Sequence, residues 1–224
     1  MNQANYWELI TERRARVAIK GEPGPHIKRV WILIHGYKQL AGRFIQKFEA
    51  LEAEDCLLVA PEALSRFYLD DAYYGRVGGS WMTKEDRLNE IEDQLTYLDR
   101  CLARVYEACG TASPQLYVLG FSQGVATVWR WLLHRRPAFD GVVLWAGKPP
   151  EETDEWLENR LNAQPFAYIY GKEDPFIPPE IAKKLLGGMK NRFPELEVYP
   201  FQGKHVIHSQ PIQALLAHWG KENA

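Results

Sequence analysis

The fold of this chain is decided by one stretch, LYVLGFSQGVATVWRWLL, which runs from Leu116 to Leu133. Its first residues are apolar throughout, as in a strand that is buried on both faces of a sheet. From Val125 onward, apolar residues recur at three- and four-residue spacing, which predicts a helix. Only Gly-Phe-Ser-Gln-Gly separates the two patterns. The stretch therefore predicts a strand, a sharp turn centred on Ser122, and a helix that begins at once.

The same alternation continues on both sides of this unit. Short apolar runs bounded by turn residues predict six buried strands: Val30–Ile34, Leu57–Ala60, Leu116–Leu119, Val142–Trp145, Phe166–Tyr170 and Leu196–Phe201. Helical patterns separate most of them, and the longest extends from Leu88 to Val105. This order predicts the α/β class, with a mostly parallel, doubly wound sheet flanked by helices. In such sheets, ligands bind outside the carboxyl ends of the strands.

Two stretches outside the regular alternation carry weaker expectations. The sequence RARVAIK, from Arg14 to Lys20, alternates basic and apolar residues. This predicts a half-exposed edge strand, with Val17 and Ile19 on its apolar face. The segment Pro61–Ser80 is predicted to be a long irregular loop, and long loops in compact domains often line binding sites.

Composition excludes several classes of protein. A length of 224 residues favours one domain over residues 1–224. The net charge of −2 offers no basic field for nucleic acid, and no apolar run is long enough to span a membrane. Three scattered cysteines argue against a disulfide framework and, without a signal-peptide pattern, predict a cytoplasmic protein. The histidines and cysteines lack a metal-ligand pattern, so we expect no metal.

Ser122 is the first candidate site residue. A nucleophilic serine of this kind requires a strand before it and a helix after it, on a turn that exposes the hydroxyl. Gly120 and Gly124 remove side-chain bulk that would collide with the neighbouring strand or helix. The N-terminus of the helix adds a positive field where an oxyanion would form. The alternative, that Ser122 lies on a purely structural turn, is less favoured because both flanking elements are present.

A nucleophilic serine needs a base, and the base needs a carboxylate to orient it. Asp174 follows the predicted strand Phe166–Tyr170, and His205 follows the last predicted strand. The order serine, aspartate, histidine is that of hydrolases on such sheets. Each residue also has an ordinary interpretation, as a turn residue before proline or as a solvated loop histidine. Glu173 and His208 are the alternatives for the acid and the base.

An oxyanion hole needs a second backbone N–H from the loop after an early strand. The strand that begins at Val30 ends in His35-Gly-Tyr37, so the Tyr37 N–H is the candidate, paired with the N–H of Gln123. His35 precedes the acid in the chain, and we interpret it as a residue that shapes the loop.

Aromatic residues are plentiful near the expected rim of the site. Most of them have an ordinary interpretation, as core or surface residues. Tyr73, Tyr74 and Phe176 are the candidates for an acyl pocket. The segment between the strands that end at Trp145 and begin at Phe166 holds only one short polar helix. We therefore expect no lid domain and an open site.

The motifs I-H-G, G-F-S-Q-G, D-P-F-I-P and G-K-H, in this order and spacing, resemble the acyl-protein thioesterase, or phospholipase/carboxylesterase, family of serine α/β hydrolases. The resemblance extends from Val30 to the C-terminus and implies an α/β-hydrolase fold without a cofactor. It implies Ser122, Asp174 and His205 as the catalytic triad. The chain departs from the family pattern at Tyr37-Lys38-Gln39 and at Lys204, which changes the mouth of the site and counts against long-chain protein deacylation.

The predicted function is hydrolysis of short- to medium-chain carboxylic esters through an acyl-enzyme, with thioesters and lysophospholipids as further substrates to consider. Two alternatives remain open because fold does not fix function. One is an acyl-transferring or peptide-cleaving serine hydrolase on the same scaffold. The other is a catalytically silent binding protein of the same fold. The expected partner is a small-molecule ester or thioester, and the oligomeric state, monomer or homodimer, is open.

Overall fold

The structure, a computed structural model, describes residues 5–70, 74–110 and 113–222. Within these ranges the chain forms nine strands, in chain order β1 to β9: Val17–Lys20, Arg29–Ile34, Cys56–Pro61, Ser65–Tyr68, Val77–Ser80, Gln115–Phe121, Gly141–Trp145, Phe166–Gly171 and Glu197–Phe201. The same ranges contain six α-helices, α1 to α6: Ala41–Phe44, Arg87–Cys109, Gln123–Arg135, Glu155–Asn162, Pro179–Arg192 and Ser209–Glu222. A 3₁₀ segment, Ile45–Leu51, continues α1.

Seven of the described strands form one sheet in the order β1-β3-β2-β6-β7-β8-β9. All neighbouring pairs are parallel except β1 with β3. The central strands are buried along their length because helices cover both faces of a parallel sheet, which explains their unbroken apolar sequences. All six predicted strands are present, and the predicted doubly wound α/β architecture is confirmed. The last of them, β9, is predicted to be buried but lies at the edge of the sheet and is only partly buried, because it has a neighbouring strand on one side only.

The edge strand β1 is present, but its predicted facing is wrong. Val17 and Ile19 are exposed, whereas Ala18 packs against the core and Lys20 is half-buried and forms an ion pair with Glu52. The facing follows from the antiparallel register, in which Ala18 lies opposite Ala60 of β3. Because side chains alternate along a strand, a shift of one residue exchanges the two faces. The alternation in the sequence showed that two faces exist but not which one the register buries.

The segment Pro61–Ser80, expected to be irregular, contains a hairpin. Strands β4 and β5 pair antiparallel, with Ser65 opposite Ser80 and Tyr68 opposite Val77. They form a separate two-stranded sheet beside the main one. The sequence concealed this because β5 is Val-Gly-Gly-Ser, and glycine is depleted in strands.

The topology brings the ends of β2, β6, β7, β8 and β9 to one edge of the sheet. Between β7 and β8 the chain forms only α4, so no inserted lid domain lies there. Among the described helices, none is long and apolar enough to cross a membrane. Ser122, Asp174, His205 and the two candidate oxyanion residues all follow strands at this one edge.

Candidate active site

Ser122 lies at the turn between β6 and α3, and α3 begins at the next residue. Its φ of 54° and ψ of −117° are unusual for a residue with a side chain and cost about 1–3 kcal/mol. Its N–H donates to the Trp145 carbonyl oxygen at 2.8 Å, which fixes the turn against β7. A Cβ at Gly124 would lie 2.3 Å from the Ile34 oxygen, so only glycine allows this approach of helix and strand. The arrangement leaves Ser122 half-buried at the helix start.

Asp174 and His205 form a hydrogen-bonded pair. His205 Nδ1 lies 2.6 Å from Asp174 Oδ2, and the other carboxylate oxygen accepts from the Phe176 N–H at 2.8 Å. Asp174 is only 2% exposed, whereas the imidazole is partly open to solvent. A carboxylate accepts hydrogen bonds, so Nδ1 carries the proton and Nε2 is left as the basic nitrogen.

The alternatives for acid and base lie in other contacts. The Glu173 carboxylate accepts a hydrogen bond from the Gln202 amide. His208 Nδ1 accepts from the Gln210 N–H at 3.2 Å, and its ring packs 5.6 Å from the ring of Phe201. Neither contact joins an acid to a base, so Asp174 and His205 are the pair that the geometry favours.

His205 packs against Phe121, the residue that precedes Ser122, and therefore lies beside the Ser122 turn. The ring centroids of Phe121 and His205 are 4.8 Å apart, and Phe121 is buried at the end of β6. Among the described residues, no hydrogen bond joins Ser122 and His205. Catalytic hydrogen bonds are often long or poorly aligned in structures without substrate, so the lack of this hydrogen bond does not count against a serine–histidine pair.

The two candidate oxyanion donors flank the serine. A Cβ at Gly36 would lie 3.0 Å from Ser122 Cβ, so the loop that carries Tyr37 contacts the turn directly. Within the part of the chain that the structure describes, neither the Tyr37 N–H nor the Gln123 N–H donates a hydrogen bond. Gln123 is the first residue of α3, where helix N–H groups lack partners within the helix. Both groups are therefore available to bind an oxyanion.

His35 has the environment of a residue that shapes its loop. It is fully buried, Nε2 accepts from the Ala63 N–H at 3.0 Å, and Nδ1 donates to the Gly36 oxygen at 2.8 Å. Burial lowers the pKa of His35 below its ordinary value, although the Gly36 contact opposes this change. A neutral ring with both nitrogens occupied has no free nitrogen for proton transfer.

Sequence reasoning missed the hydrogen bonds made by the side chain of Gln123. Its Oε1 accepts from the Trp81 N–H at 3.0 Å, and its Nε2 donates to the Met82 oxygen at 2.8 Å. The sequence indicates Trp81 only as one of the aromatic residues near the rim, but it is buried and its indole N–H donates to the His35 oxygen at 2.8 Å. No sequence pattern signals these contacts, because they join segments far apart in the chain.

The three candidate pocket residues have different outcomes. Phe176 lies at the site, with its ring centroid 4.8 Å from that of His205. Tyr74 is exposed, and Tyr73 lies outside the described residues.

A groove of about 330 Å³ lies elsewhere, lined in part by Val17 and Leu40, and includes none of the candidate catalytic residues. Among the described residues, no group of three or more His, Cys, Asp or Glu side chains is arranged to hold a metal ion.

Comparisons with solved structures show which fold this is. The chain is similar to acyl-protein thioesterase 2 of Zea mays, with a TM-score of 0.70, 17% identity, and coverage of 94% of this chain and 99% of that one. It is similar to esterase PE8, with a TM-score of 0.67, 19% identity, and coverage of 93% and 99%. A phospholipase/carboxylesterase of Dyadobacter fermentans gives a TM-score of 0.59, 18% identity, and coverage of 92% and 96%. At such identities the likeness establishes the fold, which is that of the α/β hydrolases.

Comparison of sequences defines the family more narrowly. A search of curated proteins finds no match to this chain. The model of the serine hydrolase family FSH1 matches residues 27–213, which contain strands β2 to β9, the Ser122 turn and the Asp174–His205 pair. The resemblance to serine α/β hydrolases predicted from the motifs is thereby confirmed, and the chain belongs to the FSH1 family of serine hydrolases.

Proposed function

We propose that this protein hydrolyses carboxylic esters of short to medium chain length through an acyl-enzyme on Ser122. The observation that carries the proposal is the 2.6 Å hydrogen bond between His205 and the buried Asp174, next to a serine at the start of a helix. Membership of a serine hydrolase family supports the same chemistry.

All three cysteines are buried and unpaired, which fits a reducing compartment such as the cytoplasm.

In the proposed mechanism, His205 Nε2 accepts the hydroxyl proton as Ser122 Oγ attacks the carbonyl carbon. The π electrons of the carbonyl move to its oxygen, and the N–H groups of Tyr37 and Gln123 stabilise that oxyanion. When the tetrahedral intermediate collapses, the alcohol leaves with the proton from His205. Water then gives a proton to His205 as its oxygen attacks the acyl carbon. When this second intermediate collapses, the bond to Ser122 Oγ breaks, His205 returns the proton to Ser122 Oγ, and the acid leaves. Asp174 remains ionised and keeps Nε2 free for the proton.

Exposed aromatic rings at the site support an apolar group in the substrate. Phe176 is 72% exposed although its ring packs against His205, and Tyr37 is 48% exposed although it stacks on Phe67. With no inserted lid domain between β7 and β8, we expect no activation at an oil–water interface. Thioesters and lysophospholipids are further candidates, since the same acyl transfer would cleave them.

The test is hydrolysis of p-nitrophenyl esters from acetate to palmitate by purified protein. We expect Ser122→Ala to lower kcat by about 10⁴-fold or more and to abolish labelling by a fluorophosphonate. The exposed Ser113 supplies the matched control, and Ser113→Ala should retain wild-type activity. The profile over acyl length gives the size of the acyl pocket.

Two pairs of variants test His205 as the base and Asp174 as the acid that orients it. We expect His205→Ala to lose activity as Ser122→Ala does, whereas His208→Ala should remain close to wild type. Asp174→Asn should lower kcat by about 10⁴-fold through the wrong imidazole tautomer, and Glu173→Gln should have little effect. Turnover only with an amide, or only with an alcohol as acyl acceptor, would identify a peptidase or an acyltransferase instead. Absence of both turnover and labelling would favour a binding protein.

A further inference from the structure

The two proposed oxyanion donors lie on different segments of the chain. Tyr37 belongs to the loop after β2, and Gln123 begins α3. An oxyanion hole works only if its donors already point to the place where charge develops, about 2.7–3.1 Å from the oxyanion. Their relative position must therefore be held by the surrounding structure. Among the described residues, no hydrogen bond joins residues 35–39 directly to residues 122–124.

Both segments are instead hydrogen-bonded to a third one, residues 79–82, which we call the bridge. On the helix side, the Gln123 amide makes two bonds to it, accepting from the Trp81 N–H at 3.0 Å and donating to the Met82 oxygen at 2.8 Å. The amide also lies 3.4 Å from Ser80 Oγ. One side chain thus fixes the first turn of α3, which carries one donor, to the bridge.

On the loop side, the bridge forms hydrogen bonds with residues on both sides of Tyr37 in the chain. The Trp81 indole N–H donates to the His35 oxygen at 2.8 Å, and Trp81 is buried. The Lys38 N–H donates to the Gly79 oxygen at 2.9 Å, and the Gly79 N–H donates to the Gln39 oxygen at 3.0 Å. These bonds bracket Tyr37 without using its own N–H.

We propose that the side chains of Gln123 and Trp81 are positioning residues that hold the two oxyanion donors in register through the bridge. Neither side chain needs to contact the substrate. Their hydrogen bonds are at least partly buried, where a lost partner is not replaced by bulk water without cost. This inference rests on the proposed function, because it assigns a role only if Tyr37 and Gln123 serve as donors.

The variants Trp81→Phe and Gln123→Met each remove the hydrogen bonds and keep most of the side-chain volume. Complete loss of one oxyanion donor lowers kcat by about 10²–10³-fold, so a displaced donor should lower it by about 10- to 100-fold. The KM of an ester should change little, because the oxyanion does not yet exist in the bound substrate.

A trifluoromethyl ketone supplies the readout that a general structural defect would not change. Ser122 Oγ would bond to its carbonyl carbon, the carbonyl electrons would move to oxygen, and the serine proton would go to His205. This adduct needs the same two donors as the transition state, so its Ki should rise by the factor by which kcat/KM falls. Fluorophosphonate titration carried to completion counts the folded, reactive sites and corrects kcat, whereas Ki does not depend on that count.

Two matched controls remove similar buried hydrogen bonds elsewhere. Trp131→Phe removes an indole N–H that donates to Asp99 at 2.8 Å between α3 and α2. Gln94→Met removes the amide that accepts from Thr127 Oγ1 at 3.1 Å. Thermal unfolding measures how much each variant is destabilised, and kcat per titrated site should fall in the test variants but not in the controls.

The outcomes separate the inference from the proposed function. If Ser122→Ala abolishes turnover while Trp81→Phe and Gln123→Met match their controls in kcat and Ki, the positioning role is wrong and the ester hydrolase stands. If the test variants lose activity with an unchanged Ki for the ketone, the role is also wrong, because the donors would still be aligned. If wild-type protein neither turns over esters nor reacts with fluorophosphonate, the proposed function fails and the inference falls with it.

Discussion

Ser122 and Ala146 occupy equivalent positions at the ends of two neighbouring strands. Each is the first residue after its strand, β6 or β7, and the strands pair in parallel with Phe121 opposite Trp145. Both have a left-handed φ, 54° and 50°, and each N–H donates to the next strand at 2.8 Å. A positive φ thus occurs at two positions side by side. A positive φ by itself does not identify a nucleophile here.

The two positions differ in the segment that comes directly after each residue. After Ser122, α3 begins at once, and the serine stays half-buried at a helix N-terminus. After Ala146 the chain continues as a loop until α4 begins at Glu155, and Ala146 is buried. The comparison shows that a positive φ occurs after both strands, whether or not the residue there has a catalytic candidate side chain. A nucleophilic residue also needs a side chain that solvent can reach and a helix that begins directly after it.

The largest expected effect comes from moving the hydroxyl between these positions. The double variant Ser122→Ala/Ala146→Ser has a serine at the neighbouring position of positive φ, one strand away. We expect it to remain as inactive as Ser122→Ala, about 10⁴-fold or more below wild type, because Ala146 is buried and starts no helix. The measurement is kcat/KM on a p-nitrophenyl ester. Recovered activity, or labelling at position 146, would show that backbone geometry alone is sufficient.

The next effect concerns the contact between the two strand ends. A Cβ at Gly147 would lie 2.3 Å from the Ser122 carbonyl oxygen and 2.6 Å from Val125 Cγ2. We expect Gly147→Ala to lower the free energy of unfolding by about 1–3 kcal/mol and to reduce activity, because the turn must shift. Urea unfolding and ester hydrolysis measure the two effects.

The control for this variant is Gly188→Ala in α5, where a Cβ would have no atom within 4 Å. That change should raise the free energy of unfolding by about 0.5–1 kcal/mol, since glycine is unfavourable inside a helix. Equal behaviour of the two variants would mean that the close contact at Gly147 has no consequence.

The end of β2 supplies a pH-dependent comparison, because β2 pairs with β6 on the side opposite to β7 and ends in the buried His35. Burial lowers the pKa of His35 below its ordinary 6.5, so the unfolded chain binds this proton more readily. Its stabilising effect is therefore complete above about pH 6.5 and is lost as the pH falls, by up to about 1.4 kcal/mol for each unit of pKa difference.

Differential scanning calorimetry between about pH 5 and pH 8 tests this expectation. The stability of His35→Gln should depend less on pH than that of wild type, and the exposed-residue control His26→Gln should follow wild type. Equal pH dependence in all three proteins would show that His35 is not forced to stay neutral.

The smallest effect isolates the backbone strain itself. Ala146→Gly relieves a left-handed φ that costs about 1–2 kcal/mol and adds about 0.5–1 kcal/mol of unfolded-chain entropy. We expect the free energy of unfolding to rise by about 0.5–1 kcal/mol with unchanged activity. Ala126→Gly in α3, at ordinary helical geometry, should instead lower it by about 1 kcal/mol. Destabilisation of the same size in both would mean that the strain at Ala146 is negligible.

Much of the fold and of the candidate site could be predicted because the relevant signals are local. Each inner strand is buried on both faces, so its sequence is an unbroken apolar run that needs no knowledge of its partners. The Ser122 turn was predictable because the strand, the turn and the helix are contiguous. Asp174 and His205 could be named from their positions after strands because parallel strands end at one edge.

The features that could not be predicted depend on partners far away in the chain. The facing of β1 is set by its register against β3, and the alternating sequence fits either face. Strand β5 is rich in glycine and is a strand only because β4 pairs with it. The contacts of Gln123 with Trp81 and Met82 span about forty residues and follow no spacing rule.

The sequence by itself determined the order of the strands of the main sheet and of the helices between them, the sharp turn at Ser122, and the three residue types that a serine hydrolase requires. Only the tertiary structure decided that His205 pairs with Asp174 and not with Glu173, since the two acids are adjacent in the chain. It also decided that the bridge joins the loop after β2 to the first turn of α3. The physical reason is that periodicity records burial along one element, whereas hydrogen-bond partners depend on how separate elements pack against one another.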